Sequence, residues 1–90
     1  MKYNCRELGE ELKNQLKQGY DIKRISSRFF EIHLEDYRQD DPLIIEVIDY
    51  LSMMEEDPQF EYTEEQLLKI AEFLYENERD ALAAFIKRNF

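Results

Sequence analysis

The chain has 90 residues and carries 21 Asp and Glu against 12 Lys and Arg, a formal net charge of -9. A chain this short buries only ~60–65% of the surface its unfolded form exposes, which leaves room for a single domain over residues 1–90 with one modest core. With 43% apolar residues, two Gly and two Pro, wholesale disorder and turn-rich sandwiches or barrels are excluded, and long helices are implied.

Four amphipathic segments follow in chain order. Cys5, Leu8, Leu12 and Leu16 form a stripe at helical spacing, and Gly19 lies just past it, where a left-handed C-terminal cap is expected. Asp21 is an N-cap for a second helix with Ile22, Ile25, Phe29 and Ile32 on one face, a stripe that Phe30, His33 and Tyr37 widen. Asp41 followed by Pro42 marks the third start, and the pattern predicts a helix to about Glu55. Leu43, Ile44, Val47, Ile48, Leu51 and Met54 span a broad arc of it, with Ile45 at the edge of a narrow polar arc. A helix apolar over so much of its circumference is expected to be the central one, packed on two or more neighbours.

Residues 55–62 form the one substantial loop, in which the alternation of Phe60 and Tyr62 with Gln59 and Glu61 suggests a short extended stretch. Thr63 and Gln66 make a capping box, so the fourth helix starts at Glu64 with Leu67, Ile70, Ala71 and Leu74 on its stripe. The same phase continues through Leu82, Phe85 and Ile86. Either one helix runs to about Arg88, or a break near Asn77 leaves a fifth helix begun by Asp80. The fold class is all-α, a small four- or five-helix bundle.

Catalytic chemistry finds little support. Acyl transfer needs a nucleophile, a base and an orienting group, yet Cys5 lies in an apolar stripe and His33 reads as a core-edge histidine. Two Cys or His residues are too few for a structural zinc site. There is no Asp-x-Asp-x-Asp-Gly calcium loop and no Gly-rich phosphate loop. Glu65, Glu72 and Glu76 lie on a polar arc without the Glu-x-x-His motifs of a di-iron bundle. The sequence therefore reads as a non-enzyme with no catalytic residues, no metal and no cofactor. No apolar run reaches the ~18–20 residues of a membrane span. Charged Met1–Gly9 lacks a signal-peptide apolar region, and one cysteine cannot form an internal disulfide, which together point to the cytoplasm.

The charge is unevenly spread. Residues 1–38 hold a net of +1, residues 39–78 hold thirteen acids and only Lys69 for a net of -12, and residues 79–90 return to +2. So lopsided a block points to a surface that meets a basic protein partner and that repels nucleic acid. Its candidate binding residues are Glu46, Asp49, Glu55, Glu56, Asp57, Glu61, Glu64 and Glu65, with Phe60 and Tyr62 as aromatic anchors beside Tyr50. One of those two aromatics is expected to close the core instead.

The turn Leu16-Lys17-Gln18-Gly19-Tyr20-Asp21-Ile22, the segment Ile48-Asp49-Tyr50-Leu51 and the run from Asp57 to Leu67 resemble small acidic helical immunity proteins of bacteria, the colicin-D-like and contact-dependent growth-inhibition group. The resemblance covers roughly residues 12–75 and implies a cytosolic antitoxin that neutralises a cognate basic toxin domain, often a ribonuclease that cleaves tRNA. It implies partner contacts at Glu46, Asp49, Glu55, Glu56, Asp57, Glu61 and Tyr62. The competing expectation is an adaptor module or a helical homodimer, suggested by Ile45, Met53 and Phe90.

Overall fold

The structure is a computed structural model that describes residues 3–35, 41–56 and 58–88, with the backbone alone at 60 and 88. Among these residues the chain forms five α-helices: α1 (Cys5–Lys17), α2 (Ile22–Glu35), α3 (Pro42–Ser52), α4 (Glu64–Tyr75) and α5 (Arg79–Arg88). A short 3₁₀ turn at Pro58–Phe60 precedes α4. The fold is an all-α small bundle.

Local chemistry sets the helix starts. Asn4 Oδ1 accepts the Glu7 N–H at 2.8 Å, and the Glu7 carboxylate accepts the Asn4 N–H at 3.1 Å. Asp21 caps α2 by accepting the Arg24 N–H, and Asp41 caps α3 by accepting the Leu43 N–H with Pro42 in the first turn. Thr63 and Gln66 complete a reciprocal capping box at α4. Gly19, at φ +114°, ends α1 by donating its N–H to the Leu16 carbonyl.

Two helix pairs carry the packing. α1 lies against α4, α2 lies against α3, and α5 covers α4 while also touching α3. The broad apolar arc of α3 buries Leu43, Ile44, Val47, Ile48 and Leu51 between α2 and α5, as a helix with two neighbours should. Gly9 marks a close approach of α1 and α4: a Cβ there would stand 2.8 Å from the Tyr75 nitrogen and 2.9 Å from the Ala71 carbonyl oxygen. Across the same pair, the Arg6 guanidinium and the Lys13 ammonium both lie over the Tyr75 ring, 4.4 and 4.0 Å from its centre.

Arg79 ties three helix starts together. Its guanidinium grips both Asp41 carboxylate oxygens, at 2.7 and 2.8 Å, and reaches the Cys5 sulfur at 3.3 Å. The Arg79 hydrogen bonds hold the Asp41 carboxyl below the usual carboxylate range, aided by the Leu43 and Ile44 N–H groups and opposed by burial. Burial pushes the Cys5 thiol up, and the Arg79 charge works against that shift.

Four details differ from the sequence reading or resolve it. The region after α3 breaks into two helices, because Asn77 adopts φ +57°. The Glu78 N–H then returns to the Phe73 carbonyl and the Asn77 N–H to the Leu74 carbonyl, a Schellman close. The new helix starts at Arg79, one residue before the expected Asp80. Next, α3 stops at Ser52 and does not continue to Glu55. The buried Ser26 hydroxyl donates to the Ser52 carbonyl at 2.7 Å and accepts the Glu55 N–H at 3.3 Å, taking two groups that another helical turn would pair within α3. Third, the stretch before Tyr62 winds into a 3₁₀ turn where an extended one was expected. Pro58 presets a helical φ, and the Glu61 N–H donates to its carbonyl at 3.1 Å. Last, Phe30 and His33 do not widen the α2 stripe: both face solvent, because Ile25, Ser26, Phe29 and Ile32 already fill the inner face. Tyr37 lies outside the described residues.

Candidate partner-binding surface

The acidic block divides into separate neighbourhoods. Glu55 and Glu56, exposed just past α3, stand opposite Phe30 and Glu31 of α2 across an open groove of about 560 Å³ floored by Ser26 and Ser52. Phe30 leaves 49% of its surface exposed. Further along the same helix pair, the Asp49 carboxylate lies 3.1 Å from His33 Nδ1, with both side chains about half exposed.

Glu61 and Glu64 gather around Tyr20. The Tyr20 hydroxyl donates to the Tyr62 carbonyl at 2.6 Å. Partial burial pushes the Tyr20 phenol up, with the negative charges of Glu61 and Glu64 adding to the effect. Glu64 also faces Lys13 and Lys17 of α1 across a second groove, over Leu16 and Leu68, without an ion pair to either. Glu65 sits on the outer face of α4 near Lys69 and Phe85, in a third groove.

Tyr62 is inside the core, with no exposed surface. Its burial pushes the phenol strongly upward, and Tyr50 and half-buried Glu46 push in the same direction. Of the two loop aromatics, Tyr62 is therefore one that closes the core, and a surface anchor at that position is not available. The reason is the 3₁₀ turn, which carries the chain inward ahead of α4. Asp57, Phe90 and the side chain of Phe60 lie outside the described residues.

No protein-family model, no curated protein and no solved structure matches the chain.

Among the described residues no three His, Cys, Asp or Glu side chains gather as metal ligands, and no helix is long and apolar enough to cross a membrane. Cys5 and His33 sit on different helices; Cys5 is buried with Arg79, and His33 is exposed beside Asp49. What the surface does have is charge without internal partners. Glu46, Glu55, Glu56, Glu61, Glu64 and Glu65 take part in no ion pair among the described residues. The arginines whose side chains are described, by contrast, are engaged: Arg28 with Glu11 and Glu31, Arg79 with Asp41, Arg6 on Tyr75, and Arg24 on the Gln15 and Gly19 carbonyls.

The sequence missed Phe30 and Glu31. Phe30 lies a helical step of 100° beyond Phe29, and α2, packed mainly on α3, buries the face that carries Ile25, Ser26, Phe29 and Ile32. Glu31 lies outside the -12 block, and only the packing of α2 on α3 brings it opposite Glu55 and Glu56.

Proposed function

We propose that this chain is a binding protein that presents an acidic surface to a basic protein partner, as an immunity protein does to a toxin nuclease. The observation that supports the reading is the asymmetry in charge pairing. The cations near the core are spent on scaffold contacts, while six described carboxylates between Glu46 and Glu65 take part in no ion pair among the described residues. Nucleases hold substrate phosphates in basic grooves, and carboxylates offered at phosphate positions compete for the same groove. Unscreened negative charge also steers such a partner toward the surface and speeds association.

The experiment is a titration of the chain against the toxin domain encoded in the adjacent reading frame, with nuclease activity and calorimetry as readouts. Inhibition should weaken steeply between ~50 mM and ~0.5 M salt, where the screening length shortens severalfold. Absence of binding at low salt, or binding untouched when Glu55 and Glu56 are both changed to Lys, refutes the proposal. A second reading, self-association, draws on Leu68, which is 44% exposed between Leu16 and Phe85. The net charge of -9 opposes it by self-repulsion, and sedimentation at low salt separates the two.

A further inference from the structure

We infer that the groove between α2 and the end of α3 is an arginine-docking site: a guanidinium from the partner lies on the Phe30 ring and is received by Glu31, Glu55 and Glu56. The inference deepens the proposal above and rests on it for the partner's charge.

Three properties separate this groove from the rest of the acidic surface. Among the described residues it is lined by three carboxylates and no Lys or Arg, whereas the groove at Glu64 is closed on one side by Lys13 and Lys17. Glu31 has one ion-pair partner among the described residues, Arg28, at 3.5 Å, and is itself 61% exposed, so that pair is weak and easily exchanged. The groove also contains a large aromatic that the core does not use. Phe30 is 49% exposed and meets the tilted His33 ring at a centroid distance of 6.5 Å.

The hydroxyls of its floor already have partners. The Ser26 hydroxyl is occupied by the Ser52 carbonyl and the Glu55 N–H, and the Ser52 hydroxyl donates to the Asp49 carbonyl at 2.8 Å. A ligand therefore gains nothing from the floor and is read by the rim. The same Ser26 bond fixes the backbone that carries Glu55, which lowers the ordering cost of binding.

An aromatic face beside two unpaired carboxylates, Glu55 and Glu56, and the weakly paired Glu31 is matched by a group that is flat, cationic and weakly hydrated. Arginine meets all three conditions, and lysine, a compact and strongly hydrated charge, meets only one. A volume near 560 Å³ falls within the ~300–1,000 Å³ of ligand clefts, ample for one arginine side chain with the backbone that carries it. A second copy of this chain is a poor occupant, since two chains of net charge -9 repel each other.

The test is a titration of the isotope-labelled full chain with acetylated, amidated tri-arginine, followed by NMR, with tri-lysine of the same form as comparison. Saturable shifts should centre on the amides of Phe30, Glu31, Ser52, Glu55 and Glu56, with tri-arginine the tighter ligand. Phe30→Ala should weaken tri-arginine about fivefold. Phe30→Tyr should retain binding, and Phe30→Leu, which keeps apolar bulk without the ring, should behave like the Ala variant. Glu55→Gln with Glu56→Gln should abolish saturation at low salt. Shifts centred on Glu61 and Glu64, equal affinity for tri-lysine, or indifference to Phe30→Leu each overturn the site. Tri-arginine binding here without inhibition of the adjacent toxin would refute the immunity reading and leave the site standing. Inhibition of the toxin unaffected by Phe30→Leu would do the reverse.

Discussion

Replacing Gly9 with Ala sets two effects of opposite sign against each other. In a helix interior Ala is favoured over Gly by about 1 kcal/mol, so helix propensity alone predicts a more stable protein. The added methyl would stand 2.8 Å from the Tyr75 nitrogen, 2.9 Å from the Ala71 oxygen and 3.1 Å from Leu74 Cβ. Two of those three atoms belong to the α4 backbone, so no side-chain rotation relieves the contact and α4 must move as a body. Overpacking of this kind costs ~1–3 kcal/mol, and a gap of ~0.5–1 Å forfeits a quarter to a half of the dispersion between the separated surfaces. The crowding therefore wins, with a net loss of about 1–2 kcal/mol. For a domain of this size that lowers the melting temperature by roughly 5–15 °C. Thermal and urea unfolding followed by circular dichroism measures it, with Glu10→Ala on the exposed face of α1 as the control for propensity alone. A Gly9→Ala variant that melts at or above the parent temperature would refute the close α1–α4 approach.

Two further outcomes follow from the hydrogen-bond framework. Ser26→Ala removes the bridge that ends α3 and leaves the Ser52 carbonyl and the Glu55 N–H unpaired in a partly buried place; the expected loss is about 1–3 kcal/mol, and a change below about 0.5 kcal/mol in urea unfolding would mean that α3 ends for another reason. Asp41 has its folded pKa below its unfolded value, so the unfolded state takes up more protons as the pH falls. The stabilisation it contributes is complete above the ordinary carboxylate range and is lost as the pH drops through the depressed value. Asp41→Asn keeps an acceptor for the Leu43 N–H and removes the charge. The stability difference between parent and variant should accordingly be present near neutrality and shrink on acidification, and a difference that grows in acid would contradict the assignment.

Elements marked by local chemistry were legible in the sequence. The Asp41–Pro42 start, the Thr63–Gln66 box and the Gly19 stop each depend on residues within one turn of the feature they produce. The end of α3 was not legible, because the group that terminates it, Ser26, lies on another helix. Gly9 carried no visible meaning until Ala71 and Tyr75 were packed across from it. The same limit applies to the surface. Counting charge along the chain located the acidic block, but which carboxylates share a groove is fixed by helix pairing. That pairing set Glu31 with Glu55 and Glu56, gave Glu64 a lysine neighbourhood, and drew Tyr62 into the core.

Pairing of α1 with α4 also sets a timetable for folding. The α2–α3 hairpin joins neighbours in the sequence, whereas the apolar stripe of α1 is made early in synthesis and has no principal partner until α4 is complete. Contacts between distant segments form late, after the entropy of closing the intervening chain has been met. Leu8 and Leu12, buried in the finished protein, are then bare hydrophobic surface on a nascent chain whose α2–α3 hairpin is already assembled. The expected signature is a φ-value near zero for Leu12→Ala and a substantially larger one for Ile48→Val; equal values would indicate that both pairs assemble together. For a chain of this fold, the interval between synthesis of α1 and of α4 is the stretch of its life in which it is most exposed to aggregation and to chaperones.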